Sequence, residues 1–217
     1  QRVLVFCTAE LGRIPDAAIE RAAGAGTAFE IVTPSRWSQN AIVENGYAPR
    51  VHLVPHGIDP DCYWHAGRRE KATLRRQFGL PEDAFIFLNV GAMTWNKGIT
   101  PLLLAFAAHY KKFPHSRLLL KGADFLYGNM FARAYQEALK QDPANLERAR
   151  DAIIYNAENL SHEALAMLYR ASDAYVSPYL AEAFNLPVLE AVASGLPVIV
   201  TDGGPTDDFC RAGFSLK

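Results

Sequence analysis

From residue 84 onward the chain alternates short apolar runs with longer helical patterns, and this alternation limits the fold more than any other feature. Runs of strand length cover 84–90, 117–121, 152–155, 174–176 and 198–201, and helical patterns cover 100–112, 125–141, 161–172 and 187–194. The strand runs are β-branched and aromatic with little polar alternation, as in Phe85-Ile-Phe-Leu-Asn-Val90, the pattern of strands buried on both faces. The reading is an α/β fold: a parallel sheet with helices on both faces. In such sheets ligands sit beyond the carboxyl ends of the strands, so the loops that follow them are where chemistry is expected.

The most distinctive of these loops runs Glu182-Ala-Phe-Asn-Leu-Pro-Val-Leu-Glu190. Pro187 suits the first helical position, where its missing N–H costs nothing, so the amides of Phe184 to Leu186 fall at the positive end of the helix dipole and favour an anion. Glu190 lies about one turn in. An acid there also complements the dipole with no ligand at all, and Glu182 alone reads as a solvated loop acid. What distinguishes the pair is the apolar filling between them, which leaves the two carboxylates as the ionisable groups of the segment. Amides that face phosphate and carboxylates that accept from hydroxyls suit a phosphorylated sugar.

This segment resembles the E-x7-E signature of the family 4 retaining glycosyltransferases, enzymes of the two-domain GT-B fold. The similarity continues through Ala191-Val-Ala-Ser-Gly-Leu-Pro-Val-Ile-Val-Thr-Asp-Gly-Gly204, like the family's "EAMACGTPVIASDVGG" run. Upstream, Thr33-Pro-Ser-Arg-Trp and Val54-Pro-His-Gly-Ile-Asp59 resemble its "vpS" and "vPNGVD" segments, and Leu160-Ser-His-Glu-Ala-Leu with Leu168-Tyr-Arg-Ala-Ser-Asp173 resembles "ls.eel..ly..aD". The matches keep family order over nearly the whole chain. The resemblance implies two Rossmann-like halves and a hexose transferred from a nucleotide-sugar, UDP- or GDP-linked, to a glycan or lipid-linked acceptor. Glu182 and Lys97 are then the catalytic candidates, Glu182 as a sugar-hydroxyl ligand and Lys97 as the diphosphate cation. Glu190, as the ribose ligand, joins Gly91, Phe184, Asn185 and Leu186 in holding the donor. Retention in this family is ascribed to positioning and electrostatics without a protein nucleophile. A non-catalytic nucleotide-sugar-binding module and a nucleotide-sugar epimerase of the same fold are the alternatives.

Lys97 belongs to Gly91-Ala-Met-Thr-Trp-Asn-Lys-Gly98, which resembles the family's G-R-x-x-x-x-K-G phosphate loop with Ala92 in place of the arginine. Lys121, at the end of the next strand run, reads either as a replacement cation or as a surface lysine. Ala183 and Asn185 stand where the family has glycines; Asn tolerates left-handed backbone angles, so the turn at 185 can survive. The loop 156–161 follows the third strand run, and Ser161 is placed to cap the helix after it.

Half the residues are hydrophobic, 21% are charged and the formal net charge is −1, which gives no nucleic-acid footprint. The longest apolar runs are strand-length, so neither a membrane span nor a signal peptide is read. The three cysteines are widely spaced without a C-x-x-C pair, the habit of a reduced, cytoplasmic compartment. Asp59-Pro-Asp61 is formally a D-x-D but reads as a turn, and the six histidines are scattered, so no metal and no cofactor are expected.

With 217 residues and no initiator Met, the chain reads as incomplete. Residues 1–60 are expected to be the tail of an acceptor-side half, 61–81 an interdomain linker with a helix ending at Gly79, and 82–217 a truncated nucleotide-sugar half. The charge run of the linker reads as a solvated helix face. Peripheral membrane association is expected only through segments outside this chain.

Overall fold

The computed structural model describes residues 3–12, 29–45, 50–210 and 215–216. They form two compact units: the described residues of Gln1–Gly57 with Ala181–Leu186 and Asp202–Phe209, and those of Ile58–Leu180 with Pro187–Thr201 and Cys210–Lys217.

In the first unit β1 (Val3–Phe6), β2 (Phe29–Thr33) and β3 (Val51–Leu53) form a parallel sheet in that order. Helix α1 (Arg36–Glu44) opens directly after β2 because Ser35, in extended geometry, accepts from the Ser38 amide at 3.1 Å, satisfying a donor that a helix start leaves orphaned. Ser38 in turn donates to the Ala9 carbonyl at 2.8 Å. Ile31, Ala41 and Ile42 make the small core beneath.

The second unit begins with α2 (Arg68–Gln77) and continues as β4 (Phe85–Val90), α3 (Ile99–Tyr110), β5 (Ser116–Lys121), α4 (Asp124–Tyr127), α5 (Met130–Gln141), α6 (Pro143–Ala149), β6 (Ile153–Asn156), α7 (His162–Ala171), β7 (Ala174–Ser177), α8 (Leu186–Ala193), β8 (Val198–Val200) and β9 (Ser215–Leu216). Its strands pair in the order β6-β5-β4-β7-β8-β9, all parallel. Counted from β4, that is the doubly wound order 3-2-1-4-5-6, with the topological switch between β4 and β7. Leu88, Leu118, Leu120 and Tyr175 are fully buried, as strands covered on both faces require. Leu102, Leu103, Phe106, Ala138, Leu146 and Ala149 pack α3, α5 and α6 over one face.

Two local features depart from the sequence reading. The helix expected over 125–141 is two helices, because Gly128 takes a left-handed φ of +70° and Asn129 restarts the chain by accepting from the Ala132 amide at 2.9 Å. Helix α6 was not expected; Asp142 caps it from the Asn145 amide at 3.2 Å and Pro143 occupies its first turn.

The charge run of α2 is not a purely solvated face. Arg75 is 5% exposed; its guanidinium donates to the carbonyls of Ala171, Glu82 and Ala84 and to Asp173 at 2.5 Å. Lys71 reaches Asp173 at 2.9 Å. Asp173 also accepts from the Ile86 amide at 2.8 Å, so this ion cluster ties α2 to the starts of β4 and β7. Among the described residues no helix is long and apolar enough to cross a membrane.

Candidate active site

The loop after β4 is folded tightly around its glycines. Gly91 bonds to the Lys121 carbonyl at 3.0 Å, and the Lys97 stem lies over Gly91, its Cγ 3.8 Å from where a Cβ at 91 would stand. Met93 adopts a φ of +55° and is buried. A 3-10 turn over Trp95–Lys97 then ends at Gly98, whose φ is +67° and whose missing Cβ would fall 1.9 Å from the Pro178 carbonyl oxygen. Only glycine fits that approach. The Leu180 amide donates to the Asn96 carbonyl at 2.8 Å, so the loops after β4 and β7 are bound together at the switch point.

Lys121 closes β5 and is 6% exposed, not a surface lysine. Its ammonium donates to the Gly122 carbonyl. Burial pushes its pKa down, with Asp124 and Glu158 pulling it partly back. Gly122 sits against the Tyr155 ring, its absent Cβ 2.1 Å from the phenol oxygen, and Tyr155 donates to Asp124. Lys97 and Lys121, with Gly91, Ala92, Gly122 and Asn159, line a cleft of about 380 Å³ beyond the carboxyl ends of β4 and β5. Exposed Phe125, Leu126 and Tyr127 of α4 form another part of its wall. Three loops that the sequence marked separately thus converge on one cavity carrying two lysines. Ser161 caps α7 as expected, accepting from the Ala164 amide at 3.2 Å, and this holds the third loop at the cleft's edge.

Glu190, on α8, is 7% exposed. Its Oε2 accepts from Tyr169 at 2.7 Å, and Tyr63 also hydrogen-bonds to it. Burial raises the Glu190 pKa, while the two phenols and His162 draw it back. It is therefore a carboxylate held in a phenol cage, not an acid merely complementing a helix dipole. Nothing in the spacing of Tyr63 or Tyr169 marked them as its partners. The turn that follows helix α8 carries Gly195, at φ +74°, where a Cβ would meet His65 Nδ1 at 2.7 Å.

Glu182, Phe184, Asn185 and Leu186 fall in the first unit. All but Leu186 are buried. Asn185 has a φ of +69°, the left-handed turn its identity permits. Ala183 is absent from the positive-φ residues, so alanine is unstrained there; its carbonyl accepts from Ser35 Oγ at 2.5 Å. Phe184 packs edge-on to His56 at 4.9 Å and against Phe209 at 5.1 Å. The serine of Thr33-Pro-Ser and the histidine of Val54-Pro-His are therefore anchors of the Glu182 loop, a link invisible in sequence because 148 positions separate Ser35 from Ala183.

The doubly wound parallel sheet and its three-stranded companion are the GT-B fold. The chain matches an Anabaena protein, Alr3699/HepE in complex with UDP-glucose, with a TM-score of 0.76 and 18% identity over all of this chain and 58% of that one. Sucrose-phosphate synthase from Thermosynechococcus elongatus matches with a TM-score of 0.70 and 28% identity, over 89% of this chain and 46% of that one. The chain belongs to the family described as glycosyl transferases group 1, whose model matches residues 70–215. A D-inositol 3-phosphate glycosyltransferase of Catenulispora acidiphila is 34% identical over 78% of this chain and 40% of its own length. A lipopolysaccharide 1,2-N-acetylglucosaminetransferase of Salmonella typhimurium is 26% identical over 86% and 47%. The chain thus spans under half the length of these curated relatives.

Proposed function

We propose that this chain supplies the nucleotide-sugar-binding part of a retaining, family 4-like hexosyltransferase, which passes a sugar from a UDP- or GDP-linked donor to a glycan or lipid-linked acceptor. The observation that carries this reading is the cleft beyond β4 and β5, where Lys97 and the buried Lys121 face one cavity. Two ammonium groups there neutralise a donor diphosphate as charge grows on it in the transition state. On this reading Lys121 supplies the cation that Ala92 withholds, which weighs against a binding-only module. A helix N-terminus such as that of α8 also favours negative charge.

Glu190 accepts from ribose hydroxyls, its orientation set by Tyr169. Glu182 accepts from hydroxyls of the donor sugar and fixes the anomeric carbon for attack. Transfer needs no metal ion on the diphosphate and no protein nucleophile; the departing phosphate oxygen takes the acceptor proton. Transfer is proposed for the whole protein and donor binding for this chain. In the whole protein, Glu182→Gln should lower kcat while leaving nucleotide affinity near wild type. Turnover unchanged by that substitution would sink the assignment of Glu182. Transfer to an acceptor, measured on the same protein, separates a transferase from a module that only binds.

A further inference from the structure

Asp59 and Cys62 lie three positions apart and His162 a hundred residues on, yet each offers a ligand atom within 4.8 Å of the other two. Asp59 and Cys62 lie on one turn, fixed by hydrogen bonds from the Asp61 amide to Asp59 Oδ1 at 2.9 Å and from the Cys62 and Tyr63 amides to the Asp59 carbonyl at 3.2 and 3.1 Å. His162 is the first residue of α7, held at that position by the Ser161 cap. Cys62 Sγ stands 3.4 Å from Asp59 Oδ2. In a tetrahedral zinc site, with Zn–S near 2.3 Å and Zn–O near 2.1 Å, the S-to-O edge is about 3.6 Å. The pair is thus already spaced as two ligands of one cation.

We propose that Asp59, Cys62 and His162 bind a transition-metal dication, zinc by preference. A thiolate, an imidazole and a carboxylate form a mixed S, N, O set that suits Zn²⁺ and not Mg²⁺ or Ca²⁺, which take oxygen ligands. Cys62 is partly exposed and the other two are exposed, so water completes the fourth position and metal enters without unfolding. His162 Nδ1 lies 3.4 Å from Tyr63 Oη. A metal-bound histidine commonly gives its second nitrogen to a partner of that kind, which fixes the ring. The cation staples the turn at 59–62 to the start of α7 beside the Glu190 cage. None of its three ligands lines the two-lysine cleft, so the cation is not proposed to bind phosphate.

The test is titration of the chelator-stripped chain with Zn²⁺ and with Co²⁺. One equivalent of Zn²⁺ should bind, and the Co²⁺ form should show a thiolate-to-cobalt charge-transfer band. Cys62→Ser should abolish the band, and His162→Ala should weaken Zn²⁺ binding by roughly 100-fold, the upper end of what even supporting residues contribute to such sites. Cys7→Ser and Cys210→Ser should bind like the parent chain. All three liganding side chains lie at or near the surface, so the fold is expected to survive their loss; circular dichroism melts check this. Absence of stoichiometric binding in the parent, or a thiolate band that persists in Cys62→Ser, overturns the site.

Discussion

At the scale of single residues, the most informative group is Glu190. Its buried carboxyl has a folded-state pKa above the ordinary glutamate range, so on acidification the folded chain takes up this proton before the unfolded chain does. Between the two pKa values the folded state binds more protons, and stability contributed by this group falls as pH rises. If Glu190 holds the ribose as proposed, nucleotide affinity runs the other way: the ionised carboxylate is the better acceptor, so binding should weaken as pH falls through the raised pKa. Glu190→Gln should flatten both profiles, read by thermal melts and by calorimetry across pH 4.5–7.5. A wild-type profile as flat as the variant's would contradict this account. The carboxylate itself was legible in the sequence, since two acids in an apolar segment need partners. Its partners were not, because Tyr63 and Tyr169 reach it from elements whose packing no local pattern encodes.

Among the elements, the Gly98 contact and the α2 ion cluster are each open to test by substitution. Gly98→Ala forces a Cβ into the Pro178 carbonyl and a left-handed backbone onto alanine. We expect a loss of about 2 kcal/mol or more in urea unfolding, together with weaker donor binding, since the strain falls on the loop that carries Lys97. Arg75→Ala leaves Asp173 with Lys71 as its remaining cationic partner and should cost roughly 3 kcal/mol, checked by the same unfolding curves. A cost near zero would mean that α2 is only a linker. Its charge run looked solvated because sequence gives the type and spacing of charges but not which one points inward. The helices and strands from 84 on were legible because strand runs and helical periods are local signals. The break at Gly128 also has a local signal, Gly-Asn with the Asn as cap, which the longer helical pattern overrode.

At the scale of the whole molecule, strand–helix alternation is enough to define a parallel sheet, and the doubly wound strand order accounts for where the cleft lies. Alternation does not say which loops share a cavity. Lys121 shows the difference: in sequence it is one lysine before a glycine, whereas the register of β5 beside β4 brings it into the cavity of Lys97. The resemblance of the motifs carried the family, and the fold explains why they travel together, since Ser35 and His56 both support the Glu182 loop. The proposed seat of the donor diphosphate, the cavity between the β4 and β5 loops with its two lysines, can be probed by calorimetric titration of the chain and its Lys121→Ala variant with UDP, GDP and ADP, with and without EDTA. We expect binding of one nucleotide, unaffected by EDTA and weakened roughly 10- to 100-fold in Lys121→Ala, the equivalent of losing a charge-assisted hydrogen bond worth about 1.5–3 kcal/mol. Equal affinity of the folded variant and its parent, or binding that EDTA abolishes, would contradict it.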